Sequence, residues 1–273
     1  MARAVIISSI ALLAALFISF SVMYAVHTRQ AVERLESQLA ALAKDDGGPV
    51  PRPNVGTAFN DSVDTPKLSA SAWHDPMAVV IGNVEISNRV YIGPFASIRG
   101  DEGQPIFVGE DSNLQDGVVI HALETESDGK EVEGRTYQVG SDSYAVYIGE
   151  RVSVAHQALV HGPARVDDDV FIGMQAMVFK ARIGSGSVVE PGAKVIGVSV
   201  ASGRYVPAGT VLTDQAAADA LPSIDESYAY AKLNEAVVHV NTSLAVGYAD
   251  AGKPKTKSKA KSKKAEKAPA AEH

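Results

Sequence analysis

Between Val146 and Gly173 the chain reads VYIGER VSVAHQ ALVHGP ARVDDD VFIG, with an aliphatic residue every six positions at Ile148, Val154, Val160, Val166 and Ile172. A period of six fits neither an isolated strand, whose side chains alternate every two residues, nor a helix at 3.6. It is the period of a parallel β-helix, in which three short strands close a coil of about eighteen residues and the aliphatic position points inward on each face. The same register runs through Val80, Ile86, Ile92 and Ile98, then Val108, Leu114 and Ile120, and after Val178 through Ile183, Val189 and Val195. Glycine follows several of these positions, as in Ile92-Gly93, Val108-Gly109 and Ile148-Gly149, which predicts corners needing positive φ. With 23 glycines and only 6% aromatic residues, the composition suits narrow aliphatic coils joined by many turns.

The repeat is interrupted twice. RGDEGQP, residues 99–105, adds four residues between Ile98 and Val108, and an acidic stretch from Ala122 to about Ala145 separates Ile120 from Ile148. A loop of that length on a compact domain points to function.

The flanking segments differ in kind. Residues 4–26 are an uncharged run behind Arg3, long enough as a helix to cross a hydrocarbon core of about 30 Å, so residues 1–27 read as a signal anchor or a cleaved signal peptide. Either predicts export: a membrane-anchored chain facing outward, or a secreted or periplasmic one. Residues 28–53 read as a short amphipathic stalk, carried by Val32, Leu35, Leu39 and Leu42, and a linker broken by Gly47, Gly48, Pro49, Pro51 and Pro53. The β-helix with an N-terminal arm is expected over 54–222. Ser223 to Glu226 has the pattern of a capping box, and Leu233, Val237, Val240 and Leu244 supply the apolar stripe of a C-terminal helix over 223–250. Residues 251–273 read as a disordered, lysine- and alanine-rich tail. That tail holds eight Lys and two Glu from Lys253 onward, so the net −7 of the chain conceals about −13 on the rest. A folded part this acidic excludes nucleic-acid binding. The chain has no cysteine, hence no disulfide and no thiolate metal ligand.

Two histidines stand out in the register. His121 follows inward Ile120 and His161 follows inward Val160, so both hold the same outward position of a hexad. Removing the loop leaves one coil between them, which stacks the two imidazoles at the strand spacing of about 4.8 Å. Two rings so placed can share a metal. His156 lies around a corner of the same coil, out of reach of that ion, and a threefold assembly would let the neighbouring subunit supply it as the third ligand. Three neutral histidines leave a coordination position open to water, the pattern of catalytic zinc. Any one of these histidines alone would be an ordinary surface residue; the stacking singles them out. Asn113 and Gln115 flank inward Leu114 and point outward nearby, Glu102 lies in the inserted corner, and Glu124 lies three residues past His121.

IRGDEGQPIFVG, SNLQDGVVIHALET, VSVAHQALVHGPA, VFIGMQAMVF, GRYVPAG and YAKLNEAVVHVN together resemble the γ-class carbonic anhydrases, across about residues 55–249. The resemblance is to the archaeal-type enzymes that carry the acidic loop. It implies an all-β left-handed β-helix with a C-terminal helix packed along it, a homotrimer, and reversible hydration of CO2 to bicarbonate by a metal-activated hydroxide at subunit interfaces. Zinc is the implied cofactor, with iron or cobalt also able to serve. His121 and His161 are then ligands from one subunit and His156 the ligand from the next. Glu102 matches the carboxylate that handles the proton, and Glu124 the exposed proton-shuttle glutamate. Gln115 and Asn113 match amides that orient hydroxide and bicarbonate, Asn234 an asparagine lining the pocket, and Arg99 an arginine tied to bicarbonate and the interface. Asp101 and Asp116 match acidic partners there, and Phe59 stands where the archaeal enzymes carry a tryptophan. Two other readings share the β-helix: a hexapeptide acyltransferase, which would bind acyl-CoA, and a non-catalytic scaffold trimer.

Overall fold

The computed structural model describes residues 23, 24, 26–35, 51–123 and 125–251. Residues 1–48 form one compact unit, of which 26–35 are helical, and residues 49–273 form the other. Most of the apolar run at 4–26, the second half of the stalk, Glu124 and the lysine-rich tail lie outside the described residues. Among the described residues no helix is long and apolar enough to cross a membrane.

The larger unit is a parallel β-helix with three faces of seven strands each. In every coil the chain runs along a first face (Val146–Ile148, for example), a second (Ser153–Val154) and a third (Leu159–His161), then climbs to the next coil. Neighbouring coils pair in parallel, and the inward positions are the hexad aliphatics: Ile92, Ile98, Leu114, Ile120, Ile148, Ile172 and Ile183 are all fully buried. Each such side chain contributes roughly 1.5–3 kcal/mol on leaving water. Strands of two or three residues cannot hold together alone, so the stacked aliphatic column sustains them.

The corners differ from the sequence expectation. Gly93, Gly109 and Gly149 do not adopt positive φ; that conformation falls to Arg89, Asp111, Arg151 and Asp169, with φ of 51°, 60°, 54° and 61°. These four stack at one corner, where Arg89 pairs with Asp111 and Arg151 with Asp169, both at 2.7 Å. The hexad glycines answer a different need. A Cβ on Gly109 would lie 2.5 Å from the backbone of Gly149 in the next coil, so any side chain would hold the coils apart.

The segment after the last coil also differs. A short helix, Gln215–Asp219, is capped by the Asp214 carboxylate, which accepts from the Ala217 N–H. Ser223 to Glu226 caps nothing. The Ser223 hydroxyl accepts from Arg204 Nη1 at 2.7 Å, the Asp225 carboxylate accepts from the Ser227 N–H at 2.8 Å, and the C-terminal helix starts ten residues later, at Leu233, and runs to Ala251. It crosses the second face. Leu233 and Val237 pack on Ala155, Phe171 and Val188, Asn241 and Ala245 are buried, and Tyr248 stacks on Trp73 of the first coil at 4.3 Å. Of the expected apolar stripe, Val240 and Leu244 are instead exposed.

Candidate metal centre and adjoining cavity

The third face positions the first group of side chains. Parallel register aligns Arg99, His121, His161 and Phe179 in one outward column. The rings of His121 and His161 lie 5.5 Å apart, edge to face. His161 Nδ1 meets the Gly162 carbonyl at 2.9 Å; a carbonyl only accepts, so Nδ1 carries a proton and, in the neutral ring, Nε2 is the atom left to ligate. His121 Nε2 is approached by Glu102 Oε1 at 3.1 Å, Arg99 Nη2 at 3.3 Å and Asp101 Oδ1 at 3.5 Å. Burial, and then the Arg99 guanidinium, push His121 below the usual imidazole range despite the two carboxylates, so its neutral, ligating form is favoured. Arg99 is held by Asp101, Nε to Oδ2 at 3.0 Å.

The donor set fits a divalent cation. Asp101, Glu102 and His121 form the sole group of three such candidate ligands among the described residues, with the Arg99 guanidinium 3.3 Å from His121 Nε2. Phe59 borders a cleft beside this group, together with Arg99, Asp101 and Glu102. His156 is not in the group. It lies around the corner, with its side chain 53% exposed and Nδ1 3.4 Å from Asp116 Oδ2. The three histidines therefore do not converge within one chain.

The second face carries the other half. Asn113 and Gln115 are buried, and they are wired in series: Gln115 Nε2 donates to Asn113 Oδ1 at 3.0 Å, and Asn113 Nδ2 donates to Ser153 Oγ at 2.9 Å. Register sets this chain of bonds, because Asn113 and Ser153 are cross-strand partners. Gln115 lines a cavity of about 720 Å³ between this face and the C-terminal helix, and with its amino group committed to Asn113 its oxygen is the group left to accept there. Asp116, His156 and Asn241 line the same cavity, amid mostly apolar walls.

Asn234 does not line it. Its Nδ2 donates to the Arg151 carbonyl at 2.8 Å, which fastens the start of the helix to a corner of the β-helix. The asparagine that reaches the cavity is Asn241, two helical turns on. Its i, i+7 spacing from Asn234 was the available signal, but choosing between the two needs the true start of the helix. Ser153 was also missed; its place beside Asn113 follows from the same coil arithmetic that pairs the histidines.

No family model matches the chain. It is 54% identical over 198 residues to the carbonic anhydrase of Methanosarcina thermophila, spanning 72% of this chain and 80% of that one. It is 32% identical over 156 residues to gamma carbonic anhydrase 2, a mitochondrial protein of Arabidopsis thaliana, spanning 57% of this chain and 49% of that one. The chain belongs to the γ-carbonic anhydrase family. A solved structure from Bacillus cereus, a putative acetyltransferase, superposes with a TM-score of 0.52 over 69% of this chain and 94% of that one, at 21% identity. That likeness is one of fold alone. The site residues fall into two groups: imidazoles and a carboxylate on the third face, and amides, a cavity and an exposed imidazole on and beside the second.

Proposed function

We propose that the protein catalyses CO2 + H2O ⇌ HCO3⁻ + H⁺ as a homotrimer of left-handed β-helices, with a site at each subunit interface. The single observation that carries this reading is the register stack of His121 on His161 while His156 points out from the adjacent face. His121 and His161 of one subunit would hold the metal with His156 of the next. Zinc, or iron or cobalt, supplies when bound a Lewis acid that makes water a nucleophile near neutral pH. The chain's own residues do the rest. Gln115, held by Asn113, accepts the hydroxyl hydrogen of bicarbonate and orients it in the cavity. Glu102 takes, at the oxygen facing His121, the proton that must leave the site after bicarbonate has departed. Glu124, outside the described residues, would pass that proton from the loop to buffer. Arg99, braced by Asp101, offers a cation to the bicarbonate anion, and Asp116 pairs across the interface.

Outward residues of the third face support the trimer. Val119, Leu159 and Met177 form an apolar column beside the histidine column, and Val119 is 38% exposed in the single chain. Such a face calls for a partner. An acyltransferase needs no paired imidazoles with a third set apart, and a scaffold needs no buried amide relay. We further propose that residues 4–26 anchor an exported protein in the membrane, on the strength of their length and lack of charge.

The test is metal analysis and CO2 hydration on full-length protein purified without oxygen. One metal per subunit with hydration activity is expected. A metal-loaded trimer that leaves CO2 untouched would sink the reading.

A further inference from the structure

The base of the acidic loop is joined to the Glu102 corner by one buried residue. Thr125 is 1% exposed. Its Oγ1 donates to the Glu102 carbonyl at 2.7 Å and accepts the Gln104 N–H at 2.7 Å, while its own N–H donates to the same carbonyl at 2.9 Å. Gly103 lies inside this clasp with φ +114°, and a Cβ there would overlap Glu126 Cβ and stand 3.0 Å from Glu126 N. On its other side the Thr125 carbonyl accepts from the Val132 N–H at 2.9 Å, closing the hairpin that pairs Glu126–Ser127 with Lys130–Glu131. The gap bounded by Glu102, Gln104, Ala122 and Thr125 is too narrow for a water molecule. A hydrogen bond lost there has no solvent replacement.

Residues 101–105 belong to no strand, so the ladder does not set the direction of the Glu102 side chain. The clasp does. We propose that Thr125 is a positioning residue for proton transfer: it holds the Glu102 carboxylate against His121 and fastens to that corner the loop that leads the proton to solvent. The inference rests on the CO2 hydration reading above. Proton transfer needs heavy atoms within about 2.6–3.2 Å, so the carboxylate must be held close to the centre, and its Oε1 lies 3.1 Å from His121 Nε2. Loosening the clasp moves that carboxylate while leaving the histidines and amides in their strands. Addition of water to CO2 is then untouched, and removal of the proton is slowed.

Thr125→Val keeps the shape of the side chain and deletes both hydroxyl hydrogen bonds. In weakly buffered solution its kcat should fall roughly ten-fold and recover as imidazole buffer is raised, with kcat/KM within about two-fold of wild type. Thr125→Ser, which keeps the hydroxyl, should restore kcat in weak buffer. Hydrogen exchange on metal-free protein supplies a readout independent of activity: in Thr125→Val, protection at Gly103, Gln104 and the hairpin through Val132 should drop together while the coils hold. Exchange unchanged in Thr125→Val overturns the clasp. So does wild-type kcat in weak buffer, a parallel loss of kcat and kcat/KM, a Thr125→Ser protein as slow as the valine variant, or a valine variant that fails to assemble, which would assign Thr125 to stability. A wild-type protein that does not hydrate CO2, yet shows the coupled loss of exchange protection, would overturn the functional reading and leave the clasp standing.

Discussion

Asn113 and Ser153 hold the Gln115 amide one way round, which is what its proposed role toward bicarbonate requires. Ser153 Oγ is the last acceptor in that series, and it is buried. Ser153→Ala leaves Asn113 Nδ2 buried without a partner, which costs about 1–3 kcal/mol of stability and frees the Gln115 amide to turn. Urea unfolding should register that loss, and kcat/KM should fall about ten-fold, because the transition state loses an acceptor fixed in place. A variant with normal kcat/KM would show that Gln115 needs no brace. The stacking of His121 on His161 was legible in the sequence, since coil length and loop length fix it by arithmetic. The choice between Asn234 and Asn241 was not. Both asparagines recur on one side of a helix, and their roles depend on where that helix begins, which the Ser-x-x-Glu pattern at Ser223 misstates.

The corner is the element that sets coil spacing, and glycine serves it in two ways. At Gly109 the backbone of the next coil lies 2.5 Å from where a Cβ would stand, whereas Gly186 has φ +66° and open space around it. Gly109→Ala should therefore cost about 1–3 kcal/mol through overpacking, and Gly186→Asn well under 1 kcal/mol, because Asn tolerates the left-handed region. Thermal melts of the two variants decide the matter: equal losses would mean that the close approach at Gly109 costs no more than the left-handed backbone at Gly186. The sequence pattern located these corners correctly and misjudged why glycine occurs there. Positive φ fell to Arg89, Asp111, Arg151 and Asp169, where two ion pairs accompany the strained backbone.

At the scale of the whole molecule, each chain carries two separate groups of side chains that the proposed function joins between subunits. His121 and His161 sit on the third face, and His156 with the amides and cavity sits on and beside the second. If sites form between subunits, His121→Ala and His156→Ala should each lose metal and activity alone. Mixed and reassembled in equal amounts, they should regain about one quarter of both, since every mixed trimer holds one intact interface. Metal content by mass spectrometry and CO2 hydration of the mixture check this. No recovery in trimers proven to be mixed would place each site within a single chain.

The sequence by itself determined the β-helix, its coil length and the vertical pairing of the imidazoles, because a six-residue period leaves one way to bury its aliphatic column. It determined neither the angular placement of the C-terminal helix nor the path of the loops. Those depend on contacts between residues far apart in the chain: Tyr248 on Trp73, Asn234 on the Arg151 carbonyl, Thr125 on Glu102. Periodicity is a local property of the chain and can be read along it. The cavity beside Gln115 and the aim of Glu102 come from such distant contacts, so only the tertiary structure decided them.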